Sequence, residues 1–165
     1  MISVAIIDTH NPLMLESMAA LLTGKDEIVV SGQFNSVNDF LKASRTVTIN
    51  VLIINIYKAH IAEIELIKKI SSEMPRIKIL VISMEMQESV IYESIKAGAK
   101  GYLTKQDTGS EILMAIYSLR GGYDYYNKSI SNIILNNYIR SMDGDEPGKT
   151  GFPGNLSKRE IEIIR

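Results

Sequence analysis

The sequence predicts an α/β fold, a five-stranded doubly wound parallel sheet, and three features predict it. Apolar runs of strand length alternate with amphipathic stretches of helix length through residues 1–121 of the 165. The runs are rich in Ile and Val without polar alternation, as suits strands covered on both faces. The connections are short, so each strand packs with the helix that follows it as one βα unit.

The strands are expected at Ile2–Ile7, Ile28–Gly32, Ile49–Ile56, Ile77–Ile82 and Lys100–Leu103. The first helix opens at Asn11-Pro12, an N-cap residue followed by a proline at the first helical position. It should turn Met14, Met18, Leu21 and Leu22 inward and stop near Gly24. The second starts around Ser36, with Asp39 at capping-box spacing. The third uses Ile61, Ile64, Ile67 and Ile70 and ends before Pro75. The fourth buries Ile91 and Ile95 and ends at Gly98; the fifth buries Ile112, Ile116 and Leu119 and stops at Gly121-Gly122.

After Gly122 the pattern changes. Tyr123, Tyr125 and Tyr126 precede a helical stretch, 129–140, and are expected to pack this segment onto the body or to meet a partner. Residues 141–154 are dense in Gly, Pro and charge, which reads as a linker. Residues 155–165 look like the opening of another helix, with Ser157 and Glu160 as a capping box. The expected organisation is one domain over 1–121, a linker with one helix over 122–154, and the edge of a second domain over 155–165.

Composition narrows the function. The chain is 45% hydrophobic and 22% charged with a net charge of −1, the balance of a soluble globular protein. Lys+Arg against Asp+Glu count 12 to 13 in residues 1–121 and 6 to 6 in residues 122–165. Neither part carries a basic surplus, so DNA binding is expected to lie mostly outside this chain. With no cysteine, disulfides, thiolate catalysis and Cys-ligated zinc are excluded. His10 has no ligand-type residue three or four positions on and His60 has only Glu63, so surface or site-rim roles are expected and no metal. No apolar run reaches the ~20 residues of a membrane span, and a cytoplasmic location is expected.

Four polar residues stand at or just beyond strand ends: Asp8, Asn55, Ser83 and Lys105. Open parallel sheets gather their sites there. Taken singly, Asp8 could be a helix cap, Ser83 a loop hydroxyl, Lys105 a solvated charge and Tyr102 core packing.

Together with their surroundings they carry a resemblance. The segments Ile6-Ile7-Asp8-Thr9-His10-Asn11-Pro12, Val81-Ile82-Ser83, Ala97-Gly98-Ala99-Lys100-Gly101-Tyr102-Leu103-Thr104-Lys105 and Leu156-Ser157-Lys158-Arg159-Glu160 resemble the response regulators of bacterial two-component signalling. The last segment resembles the opening of a LuxR-type helix-turn-helix output domain. The resemblance implies a receiver domain of flavodoxin-like topology, in which two acidic residues after the first strand and an aspartate after the third hold Mg²⁺. That last aspartate accepts a phosphoryl group. Here Asp8 matches the first acid, Thr9 replaces the second, and Asn55 stands at the phosphoacceptor position. Ser83 matches the switch hydroxyl, Tyr102 the switch aromatic and Lys105 the lysine, while Ala59 and Glu63 replace the usual Pro and Gly.

These departures matter chemically. An amide oxygen with delocalised lone pairs is no phosphoryl acceptor, and Mg²⁺ favours carboxylate oxygens. Asp8 and Lys105 sum to zero charge and are expected to pair with each other, leaving no demand for a cofactor or metal. The expectation is a non-enzymatic transcriptional regulator whose pseudo-receiver acts without aspartyl phosphorylation. It would work through a homodimer, or a heterodimer with a related regulator, and reach DNA through an output domain outside this chain. A conventional phosphorylated regulator with an Asp-to-Asn change at position 55 is the alternative. A small nucleotide-binding α/β protein or enzyme is a third reading, although no Gly-rich phosphate loop follows the first strand.

Overall fold

A computed structural model describes residues 1–58, 61–85 and 87–142. The chain order is β1 (Ile2–Ile7), α1 (Pro12–Leu22), β2 (Ile28–Phe34), α2 (Val37–Ala43), β3 (Val51–Ile56) and α3 (Ile61–Glu73). It continues with β4 (Lys78–Ser83), α4 (Glu88–Ala97), β5 (Gly101–Thr104), α5 (Gly109–Arg120), β6 (Tyr125–Tyr126) and α6 (Lys128–Met142). The sheet is parallel throughout, in the order β2-β1-β3-β4-β5-β6. The strand order reverses between β1 and β3, which puts a crevice at their carboxyl ends, where Asp8 and Asn55 stand.

Strand periodicity divides the core into two layers. Val4, Ile6, Val51, Ile53, Leu80, Ile82 and Leu103 face α1 and α5. Ala5, Ile7, Leu52, Ile54, Ile79, Val81 and Tyr102 face the layer of α2, α3, α4 and α6. Two helices therefore cover one face and four the other.

Local signals act as expected at several helix ends. Asn11 Oδ1 accepts from the Met14 N–H at 3.1 Å, and Ser36 Oγ from the Asp39 N–H at 3.1 Å. α4 ends at Gly98, whose φ of 127° disfavours other residues and whose missing Cβ leaves room for the Ser71 side chain of α3.

Four expectations need correction. The sheet has a sixth strand: Gly101 and Tyr102 pair with Tyr125 and Tyr126. A two-residue strand produces no periodicity, so the sequence could not announce it. α1 buries Leu15 and Ala19 beside Met18 and Leu22, whereas Met14 is half-buried and Leu21 exposed. Ile61 opens α3 but stays 79% exposed, because the inward stripe begins one turn later at Ile64. Finally, Ile112 on α5 is half-buried rather than buried. Beyond Gly122 the chain packs onto the body as far as Met142: Ile130 and Ile134 belong to the core layer, and the Tyr92 hydroxyl of α4 donates to Ile133 O at 3.0 Å. Tyr125 and Tyr126 are half-buried and Tyr123 is exposed. Of the linker expected at 141–154, the first two residues close α6, while 143–154 and the capping box at 157–160 lie outside the described residues.

Candidate functional site: a carboxylate with every acceptor engaged

Asp8 follows β1 and is 1% exposed. Its Oδ1 accepts from the backbone N–H groups of His10 at 2.9 Å and Asn11 at 2.8 Å. Its Oδ2 accepts from Asn55 Nδ2 at 2.9 Å and the Tyr57 hydroxyl at 2.7 Å. Four donors on two oxygens fill the acceptor capacity of a carboxylate. Burial, with the Asp8 hydrogen bond and charge added, pushes the Tyr57 hydroxyl well above its usual range and keeps it protonated as a donor.

Asn55, fully buried at the end of β3, belongs to this arrangement by its chemistry. The Asp8 oxygens act only as acceptors here, so the side chain facing them must donate, and an amide does so where a second carboxylate would repel. Asn55 Nδ2 also lies 3.3 Å from Met18 Sδ, whereas its Oδ1 has no partner among the described residues.

Thr9 engages other partners. Its hydroxyl donates to Glu63 Oε1 at 2.9 Å and lies 2.9 Å from His10 Nδ1. Glu63, in the first turn of α3, is 2% exposed, and His10 Nδ1 stands 3.7 Å from its carboxylate. The His10 ring leans on Tyr57 with centroids 5.1 Å apart. A second carboxylate thus enters the site from α3. In the sequence Glu63 was visible only as a bulky acid where the resemblance implies Gly; its reach back to Thr9 depends on the angle of α3. Tyr57 gave no signal, since a tyrosine two residues past a strand is unremarkable.

The expected Asp8–Lys105 pair is absent. Lys105 is exposed, and its side chain has no ion pair or hydrogen bond among the described residues; only its backbone N–H is tied down, to Ser83 O at 3.0 Å. Asp8 has no vacant acceptor to offer it. Ser83 is buried at the end of β4, with its hydroxyl donating to Glu85 O. Tyr102 lies wholly inside on β5, its hydroxyl without a hydrogen-bond partner of good geometry among the described residues; burial raises it to about 12, against a smaller lowering by the nearby Ser83. His60 lies outside the described residues.

The residues match a response regulator receiver domain over 4–117. The chain belongs to the response regulator receiver family. Among relatives, the transcriptional regulatory protein MctR of Rhizobium johnstonii is 27% identical over 99% of this chain and 71% of its own length. A structure of RcsB from Salmonella enterica serovar Typhimurium bound to promoter rprA with the phosphomimetic BeF3⁻ superposes with a TM-score of 0.67. It is 22% identical and covers 98% of this chain and 74% of that one. A structure of two RcsB dimers on two parallel DNAs gives 0.70 at 19% identity, over 99% and 88%. At such identities these structures speak for the fold alone.

Receivers of this family are expected to hold Mg²⁺ beside the acidic residues, and the donors here do not fit it. Asp8 is saturated, the Thr9 hydroxyl is committed to Glu63, and an amide stands at 55. Among the described residues no three His, Asp or Glu side chains cluster in a way that could ligate a metal. No described helix is long and apolar enough to cross a membrane.

Proposed function

We propose that the chain is the receiver part of a LuxR-type transcriptional regulator that works without aspartyl phosphorylation, through contacts with a second copy or a related regulator. The observation that carries this is the Asn55 amide donating to a carboxylate that three further donors already engage. An incoming phosphoryl group would find no nucleophile at position 55 and no carboxylate free to hold a cation.

DNA is reached through an output domain beyond these residues, as the RcsB complexes suggest by analogy. Exposure supports one contact face over the other. β6 covers the β5 edge and α6 packs on α4, so the α4–β5–α5 side is partly taken by the chain itself. The α1–α5 side leaves Leu13, Leu21, Met114 and Tyr117 in solvent, an apolar set suited to a two-fold contact.

The test is Mg²⁺ titration with intact-protein mass after treatment with a small phosphodonor. Wild type should neither bind Mg²⁺ in the millimolar range nor gain a phosphoryl group. Asn55→Asp should gain weak binding and slow labelling, and Thr9→Asp added to it should strengthen both. Labelling of wild-type protein would refute the proposal. Rapid, complete labelling of Asn55→Asp alone would favour the conventional regulator with one changed residue. For the contact face, Leu13→Asp with Met114→Asp should abolish dimers seen by light scattering; persistence of dimers would move the interface elsewhere.

A further inference from the structure

The turn that carries Lys105 is tied to α6 by one carboxylate. Asp107 Oδ2 accepts from the Thr104 N–H at 2.7 Å and the Thr104 hydroxyl at 3.3 Å, which closes the turn Thr104–Asp107 on itself. The same oxygen accepts from Asn127 Nδ2 at 2.7 Å. Asn127 in turn starts α6: its Oδ1 accepts from the Ile130 N–H at 2.8 Å. One side chain therefore caps the helix with its oxygen and holds the turn with its nitrogen.

Neighbouring contacts draw the same two regions together. Tyr125, two residues before Asn127, donates its hydroxyl to Glu111 in the first turn of α5, the helix that follows the turn. Its backbone N–H donates to Lys100 O at 3.0 Å. The far half of α6 is held less well: Asn137 is 3% exposed, yet its Nδ2 has no hydrogen-bond partner among the described residues. A buried donor without a partner favours release of the element that carries it. The helix is thus clamped at its start and mismatched further along.

We infer that the Asp107–Asn127 contact couples the Lys105 turn to α6, making Asp107 and Asn127 positioning residues through which the strand-end site and the C-terminal helix change together. The inference deepens the proposed function and rests on it only for what α6 would pass a movement to. A charged acceptor shared by two elements is worth more than a neutral one, and losing either partner frees both elements.

The test uses hydrogen–deuterium exchange on the full chain. Asn127→Ser keeps a good N-cap for α6 but is too short to reach Asp107. Exchange in the 104–107 turn should rise about tenfold although the change lies in another element. Reciprocally, Asp107→Ala should speed exchange at the start of α6 about tenfold. The double variant should exceed neither single effect by much. Changes confined to the substituted element would overturn the coupling. So would a uniform rise that includes the amides of β1 and β3, which signals global loosening. The phosphodonor result bears on none of these outcomes, so failure here and failure of the phosphorylation-independent reading are separable.

Discussion

Around Asp8, on the β1–β3 side of the strand ends, a buried carboxylate meets four donors. Around Lys105, on the β4–β5 side, an exposed ammonium meets none among the described residues. The two charges expected to face each other have separated. The contrast shows how one crevice settles a buried acid by hydrogen bonds and an exposed base by solvent. The buried Asp8 oxygens accept from Asn55 and Tyr57 among others, whereas Lys105 reaches solvent and needs no partner. Substituting an acid by its amide at 55 removes a repulsion and supplies a hydrogen bond at once.

The largest expected effect breaks the contrast on its wired side. Asp8→Ala would leave the Asn55 amide, the Tyr57 hydroxyl and two backbone N–H groups without their acceptor. A loss of about 3–5 kcal/mol in urea denaturation is expected, since a buried network loses its hub. A loss below about 1 kcal/mol would mean that water replaces the carboxylate freely, and the site would count as open.

Next comes Asn55→Asp, which sets a carboxylate where a donor touched Asp8. Without divalent ions it should cost about 2–4 kcal/mol near neutral pH. The sign of the pH effect is fixed: crowded carboxylates bind a proton more readily folded than unfolded, so the deficit should shrink as pH falls. Millimolar Mg²⁺ should also shrink it. Thermal melts with and without Mg²⁺ at two pH values check both, and an unchanged melting point would show that the two side chains do not interact.

Much of this was legible in the sequence, and what was missed has a physical pattern. Runs rich in Ile and Val marked the first four strands and the Gly101-Tyr102-Leu103 run the fifth, and Asn11 and Ser36 marked their helix starts, because these signals act within a few residues. The pairing of Asp8 with Lys105 came from counting formal charges, which ignores neutral donors. Tyr57 and Asn55 outcompeted the lysine at a buried oxygen where neutral donors were already in place. Glu63 and Asn127 escaped for a related reason. Each acts across elements far apart in sequence, on Thr9 and on Asp107, and only the packing of α3 and α6 brings the partners within reach.

Tyr102→Phe probes the β4–β5 side at smaller scale. Its hydroxyl is buried without a hydrogen-bond partner among the described residues, so removing it should stabilise the protein by about 1 kcal/mol. Alkaline pH should widen the gap. Below pH 10 the hydroxyl is protonated whether the chain is folded or unfolded, so it contributes no pH dependence there. Between the ordinary value of 10.0 and the raised value of about 12, the unfolded chain ionises first and wild type loses stability. The variant should be spared that share of the loss in denaturation curves across this window. Equal slopes for the two proteins would show that Tyr102 is hydrated or bonded when folded.

The smallest effect is expected at Lys105, and it sharpens the contrast most. In the wild-type background Lys105→Met should change stability by no more than about 0.5 kcal/mol, because an exposed ammonium without a partner among the described residues gives up little. Combined with Asn55→Asp, the same substitution should cost about 1 kcal/mol or more, since the added carboxylate gives the lysine a reason to turn inward. A double-mutant cycle in urea isolates that difference. Coupling near zero would mean that the lysine stays in solvent whatever stands at 55, and the two sides of the site would be independent. Substantial coupling would show that the amide at 55, rather than the scaffold around it, keeps Asp8 and Lys105 apart.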